Sequence, residues 1–114
     1  MVREFDAVRG LINDGNLDAA ERRLRTLRGR SAQMTATERE VLSGLKNMLS
    51  EQRSIARIQA ALEAANRLVE QGDREGAMQR LEETREALPS RELDERYNQI
   101  DRDMRYDAAV AAAD

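Results

Sequence analysis

The chain has 114 residues, of which 36% are charged and 3% aromatic, with one proline, no cysteine, no histidine and a formal net charge of −3. That length fits one modest domain, and the shortage of aromatic residues with the wealth of charge favours long helices over a β-sandwich. The lack of cysteine excludes disulfides and thiolate metal sites, and the lack of histidine removes the commonest general base and metal ligand.

Two short helices are predicted at the start of the chain. Their apolar positions recur at steps of three and four residues: Phe5, Val8 and Ile12, then Leu17, Ala20, Leu24 and Leu27. Between them, Gly15 can adopt the left-handed conformation that closes a helix, and Asn16 can cap the next one. Residues 2–31 are therefore predicted to form an antiparallel helical hairpin.

A long central helix is predicted over residues 36–71. Thr35 and Glu38 match a capping box, which marks its start. Two apolar series follow, separated by a polar window at residues 50–54: Val41, Leu42, Leu45, Met48 and Leu49, then Ile55, Ile58 and Leu62. Because the window contains no helix breaker, one continuous helix is the first choice. The alternative is a kink or short loop there, which gives six helices instead of five.

A second hairpin is predicted over residues 59–89, with its turn at Gly72-Asp73. The apolar positions of its two helices are Leu62, Ala65 and Val69, then Ala77, Leu81, Thr84 and Leu88. Pro89-Ser90 then ends one helix and caps another, predicted over residues 90–108. That last helix carries Leu93, Tyr97, Ile100 and Met104 on one face and is expected to cover the open side of the hairpin.

The two hairpins are copies of one pattern. Gly15, Ala20 and Leu24 are repeated exactly 57 residues later, as Gly72, Ala77 and Leu81. Recurrence at a fixed offset is typical of stacked supersecondary units. The predicted fold is therefore all-α: one helical-repeat domain over residues 1–114, with two hairpins linked by a long central helix, about five helices in a short α-solenoid or bundle.

This pattern resembles the tetratricopeptide repeat. The matching positions are Val8, Gly15, Ala20, Leu24 and Leu27 in the first copy, and Ala65, Gly72, Ala77, Leu81 and Pro89 in the second. The chain departs from that family in its 57-residue offset, since tetratricopeptide repeats have a period of about 34 residues. The resemblance implies that the first helix of each hairpin presents a surface to a peptide or protein.

The resemblance also implies a set of partner-binding residues. Arg9, Asn13, Asn66 and Glu70 are expected to be exposed on that surface, with Phe5 and Leu62 at the edge between groove and core. The alternative is that the two apolar residues belong to the core and the four polar residues are simply solvated.

Charge is distributed unevenly along the chain. Residues 1–57 hold eleven basic and eight acidic residues, a net charge of +3, whereas residues 58–114 hold eight basic and fourteen acidic residues, a net charge of −6. This asymmetry favours head-to-tail or antiparallel self-association. Exposed ion pairs contribute only about 0–1 kcal/mol each, however, so a locally balanced surface is the alternative.

Nucleic-acid binding and catalysis are not expected. The five arginines nearest the end of the second helix scatter around it instead of forming a stripe: Arg22, Arg23, Arg25, Arg28 and Arg30. No nucleophile can be paired with a general base, and acidic residues alternate with arginines in the manner of surface ion pairs. The sequence therefore predicts a non-enzyme without a cofactor or metal.

The predicted function is a non-catalytic interaction or scaffold module that binds a peptide or protein partner. The alternative is a structural protein that assembles with copies of itself. No apolar run approaches the ~20 residues of a membrane span, and the start of the chain is too acidic for a signal peptide. No membrane insertion is expected, and the default location is the cytoplasm, unless the sequence is an excerpt from a longer protein.

Overall fold

The computed structural model describes residues 1–113, so Asp114 lies outside it. Within that range there are five α-helices and no strand: α1 (Val2–Asn13), α2 (Leu17–Arg28), α3 (Ala36–Glu70), α4 (Arg74–Ala87) and α5 (Arg91–Ala113). A single turn of 3-10 helix, Ser31–Gln33, was not predicted and lies between α2 and α3. The prediction of an all-α fold with five helices and a long central one is confirmed.

The central helix α3 runs from Ala36 to Glu70 without interruption, so the alternative with six helices is wrong. It starts at the predicted capping box: the backbone N–H of Thr35 donates to Glu38 Oε1 at 3.0 Å, and the backbone N–H of Glu38 donates to Thr35 Oγ1 at 3.1 Å. The bond from the Thr35 backbone lowers the pKa of the Glu38 carboxyl. Within the polar window the helix persists, and the Ser54 hydroxyl donates back to the Ser50 carbonyl.

The sequence repeat is also a repeat of backbone geometry. Gly15 and Gly72 both have φ +82°, the left-handed conformation that glycine adopts most readily. In both turns the residue after the glycine closes the helix with a 2.8 Å hydrogen bond, from the Asn16 N–H to the Leu11 carbonyl and from the Asp73 N–H to the Leu68 carbonyl. This is the Schellman arrangement, and it reverses the chain in the same way twice.

The starts of the two following helices differ. Asn16 is the N-cap residue of α2, as predicted, but its side chain makes no hydrogen bond there. Only its backbone carbonyl takes part, accepting from the Ala20 N–H at 3.0 Å. At the matching position Asp73 does cap, since its Oδ1 accepts from the Gly76 N–H at 2.9 Å.

The contacts divide the chain into two compact units, the first ending at Ile55 and the second beginning at Ala56. The core of the first unit is built from α1, α2, the connection after α2 and the first part of α3. Its buried residues are Phe5, Val8, Ile12, Ala20, Leu24, Leu27, Met34, Leu42, Leu45 and Leu49. The first unit is thus a helical hairpin completed by a third helix. The prediction of a single domain stays a prediction.

The core of the second unit is built from smaller buried side chains. It draws on the second part of α3, on α4 and on α5, with Ala61, Ala65, Ala77, Leu81, Leu93 and Ile100 buried. Three of these six are alanines, and each of the three is 0% exposed. The second unit is again a hairpin with a third helix, but only three of its fully buried side chains are large, and partly buried apolar side chains pack around them.

Gly44 offers a direct test of the continuity of α3. It lies inside the helix, it is exposed, and a Cβ added there meets no atom within 4 Å. Gly44→Ala is therefore expected to raise the free energy of unfolding by about 0.5–1 kcal/mol, measured by denaturant titration with circular dichroism. Gly72→Ala is the control of opposite sign, because its positive φ should cost about 1–2 kcal/mol. A destabilising Gly44→Ala would contradict a regular helix at that position.

Candidate functional site

The three residues predicted on the first hairpin lie on α1. Phe5 is 5% exposed and belongs to the core of the first unit. Arg9 is exposed, and its Nη1 donates to Asp6 Oδ1 at 3.2 Å. Asn13 is exposed at the last position of the helix. Of these three residues, Arg9 and Asn13 have exposed side chains.

The three residues predicted on the second hairpin lie on α3. Leu62 is half-buried against the core of the second unit, and Glu70 is exposed at the end of the helix. The Asn66 side chain is engaged within the unit, since its Oδ1 accepts from Arg96 Nε at 2.9 Å. That these three residues and their counterparts on α1 bind a partner stays a prediction.

Another surface of the first unit has the features of a binding site. A cavity of about 220 Å³ lies between α2 and the first part of α3, and it is named the α2–α3 groove here. Leu24 and Leu49, which are 2% and 8% exposed, give it an apolar floor. Arg28, Lys46 and Arg53 line it together with a single carboxylate, that of Glu21. None of the six residues predicted from the sequence lines this groove.

The cations of the groove are not equivalent. Arg53 is held by two carboxylates on α2, with Nη2 donating to Asp18 Oδ1 at 3.1 Å and to Glu21 Oε2 at 2.8 Å. Arg28 and Lys46 form no ion pair with any residue in the range 1–113. The groove therefore has one fixed cation and two that are available to an incoming anion.

The second unit contains the counterpart of Arg28. Arg85 follows it by the 57-residue offset of the repeat and occupies the same place on α4. Its Nη1 donates to Asp94 Oδ1 at 3.2 Å, and its guanidinium carbon lies 4.6 Å from the centre of the Tyr97 ring. Both partners are on α5, three residues apart and so on one helix face. In the second unit, then, the arginine is engaged by a carboxylate and an aromatic ring of α5, whereas Arg28 lines the open α2–α3 groove.

The sequence signal that could have revealed the groove is the match of Arg28 with Arg85 at the 57-residue offset of the repeat. Taken with its neighbours, Arg28 looks like one of five scattered cations. On the helix, however, it lies only about 40° from the buried Leu24, at the border of the core face. A cation at that border can reach a groove, whereas Arg22, about 160° from Leu24, points away from it.

The size and the lining residues of the groove limit what it can hold. No group of three or more acidic side chains within residues 1–113 is placed to hold a metal ion. The cavity of about 220 Å³ is smaller than the roughly 300–1,000 Å³ typical of small-molecule sites. An apolar floor beside free cations is suited to a side chain with an apolar body that lies next to a carboxylate.

Comparison with protein-family models, with curated proteins and with solved structures finds no match for this chain. The resemblance to tetratricopeptide repeats therefore stays a prediction that rests on the repeated residues. Within the described part of the chain, no helix combines the length and the apolar character needed to cross a membrane.

Proposed function

We propose that the chain is a non-catalytic interaction module whose α2–α3 groove binds a helical segment of a protein partner. The segment carries an acidic and an aromatic residue three positions apart, so that both side chains leave one face of its helix. The carboxylate pairs with Arg28 and Lys46, and the aromatic ring rests on the floor formed by Leu24 and Leu49.

Support comes from the difference between two matched arginines. Arg85 has a carboxylate and a ring beside it, supplied by Asp94 and Tyr97 of its own unit. Arg28 occupies the equivalent helix position above an open cavity and has no ion-pair partner among residues 1–113. The two hairpins share their turn geometry and three pairs of buried positions: Val8 and Ala65, Ala20 and Ala77, Leu24 and Leu81. We therefore take the surroundings of Arg85 as the guide to a ligand for Arg28.

The affinity at this site is expected to be modest. A cation on an aromatic ring contributes about 0.5–1 kcal/mol at an exposed site, and an exposed ion pair about 0–1 kcal/mol. Burial of one large apolar side chain adds about 1.5–3 kcal/mol. Association costs at least about 4 kcal/mol, so the groove must contact a whole face of the partner helix for the complex to form.

Fluorescence anisotropy with a labelled helical peptide tests the proposed function. The probe has about four helical turns and one Asp-x-x-Tyr pair, in an alanine and glutamate background unrelated to this chain. We expect binding at low salt with a Kd between about 10 µM and 1 mM. Arg28→Glu should weaken it at least about tenfold, or about 1.4 kcal/mol. Replacing the tyrosine of the probe by alanine should weaken it similarly.

Arg22→Glu is the matched control. It makes the same charge change on the same helix, but it lies about 120° around the helix from Arg28. This variant should keep most of the affinity, and both variants should keep the helical circular dichroism of the parent chain. Equal losses in the two variants would indicate general attraction to a basic surface and would refute the groove, as would the absence of binding at about 1 mM peptide.

A further inference from the structure

The chemistry that surrounds Arg85 occurs a second time in α5. The pattern Asp-x-Arg-Tyr is present as Asp94-Glu95-Arg96-Tyr97 and again as Asp103-Met104-Arg105-Tyr106. Nine residues separate the two, and at about 100° per residue this places them on opposite sides of the helix. Tyr97 is half-buried beside Arg85, whereas Tyr106 is 70% exposed. The helix α5 thus carries two similar motifs, one whose tyrosine is engaged within its unit and one whose tyrosine is turned outward.

The outward motif continues into an apolar stripe. Tyr106, Val110 and Ala113 are spaced by four and three residues, so they share one face of the last turns of α5. All three are exposed, Val110 to 46%, and Asp103 adds a carboxylate three residues before the tyrosine. This set, Asp103, Tyr106, Val110 and Ala113, is named the outer face of α5 here. The outer face extends over the last turns of α5, so it offers the continuous helix face that the groove must contact.

We propose that the α2–α3 groove binds the outer face of α5 from a second copy of the chain. This inference rests on the proposed function of the groove and names its partner. Arg28 and Lys46 of one copy meet Asp103 and Tyr106 of the other, as Arg85 meets Asp94 and Tyr97 within the second unit.

Net charge supports the same pairing. The groove belongs to residues 1–57, with a net charge of +3, and the outer face belongs to residues 58–114, with a net charge of −6. Opposite net charges on two surfaces speed their association, and like charges disfavour contact between two identical surfaces. The free cations of the groove and the Asp103 carboxylate of the outer face are of opposite sign, as are the two halves of the chain to which they belong.

Such a contact joins two different surfaces, so it is heterologous. After two copies have bound, one groove and one outer face remain unoccupied. Further copies can then add head to tail, and the assembly either closes into a ring or remains an open filament. One helix end in one groove makes a small interface, so the assembly should be weak and should dissociate as salt screens the charges.

Light scattering across concentration is the first test. At low salt the mean molar mass should rise steadily between about 10 µM and 1 mM protein, and it should fall with added salt. Tyr106→Ala, which alters only the outer face, should abolish the rise. Val2→Ala is the control, because Val2 is an equally exposed apolar residue, at 72%, on α1. Tyr106→Phe, which keeps the ring, should retain the rise.

Mixing two defective variants gives the decisive result. Tyr106→Ala keeps the groove, and Arg28→Glu with Lys46→Glu keeps the outer face, so each variant alone should be monomeric. Their mixture should form complexes of two chains and nothing larger, because only one productive contact is possible between them. Variants that still associate alone, or a mixture that remains monomeric, would overturn the proposed pairing.

The two proposals can fail separately. If the parent chain stays monomeric at about 1 mM while the unrelated helical peptide binds and Arg28→Glu weakens it, the second copy is the wrong partner and the groove function stands. If the peptide does not bind and association persists in Tyr106→Ala, both assignments are wrong and the copies meet through other surfaces.

Discussion

Leu81→Ala is expected to lower the free energy of unfolding by about 2–5 kcal/mol, the range found when a fully buried leucine is truncated. Leu81 is 0% exposed, and its cluster contains only two other large buried side chains, Leu93 and Ile100. Its remaining buried members are alanines, which have no side-chain length with which to fill the space left behind. Denaturant titration with circular dichroism measures the loss, which is a large share of the roughly 5–15 kcal/mol typical of a domain.

Glu82→Ala is the control for this substitution. It truncates the next residue of α4, which is exposed and makes no ion pair within residues 1–113. Its effect should stay within about 0.5 kcal/mol. A loss below about 1 kcal/mol for Leu81→Ala would mean that neighbouring side chains close around the missing one, and it would contradict the cavity expected at this position.

The repeat was predictable from sequence because its glycines mark a required backbone conformation and its alanines mark positions with little room for a side chain. Gly15 and Gly72 are needed where φ is positive, and Ala20 and Ala77 fill positions with no exposed surface. The capping box at Thr35 and Glu38 was predictable for the same reason, since both bonds join residues three apart. The turn glycines and the capping box are local signals, so they can be read without knowledge of the tertiary structure.

The α2–α3 groove depends on information that is not local. Arg28 and Lys46 lie eighteen positions apart in the sequence, and only the packing of α2 against α3 brings them to one cavity. Arg85 is ion-paired because Asp94 reaches it from another helix, α5, whereas Arg28 has no such partner among residues 1–113. Phe5 illustrates the converse, because a single apolar stripe on α1 cannot distinguish a core residue from one at the edge of a groove. Its burial is decided by the surrounding helices.

Ala65→Leu tests whether the alanine-rich core of the second unit is closely packed. Ala65 is 0% exposed, as are Ala61 and Ala77 in the same cluster, so three added carbons have to displace neighbours. We expect a loss of about 1–3 kcal/mol in the free energy of unfolding, measured by the same titration, because overpacking forces side chains from their preferred rotamers. The Val side chain present at the equivalent position, Val8, should be tolerated better: Ala65→Val should cost less than Ala65→Leu.

Ala56→Leu is the matched control, since Ala56 is exposed on the same helix and accepts the same added carbons in solvent. It should change stability by no more than about 0.5 kcal/mol. If Ala65→Leu instead stabilises the chain, the alanines surround unfilled space, and the large cost expected for Leu81→Ala would then arise from lost apolar contact alone. Ala65→Leu and Leu81→Ala together thus distinguish two explanations for the small buried side chains of this core. Either the helices approach each other closely, or the space between them is incompletely filled.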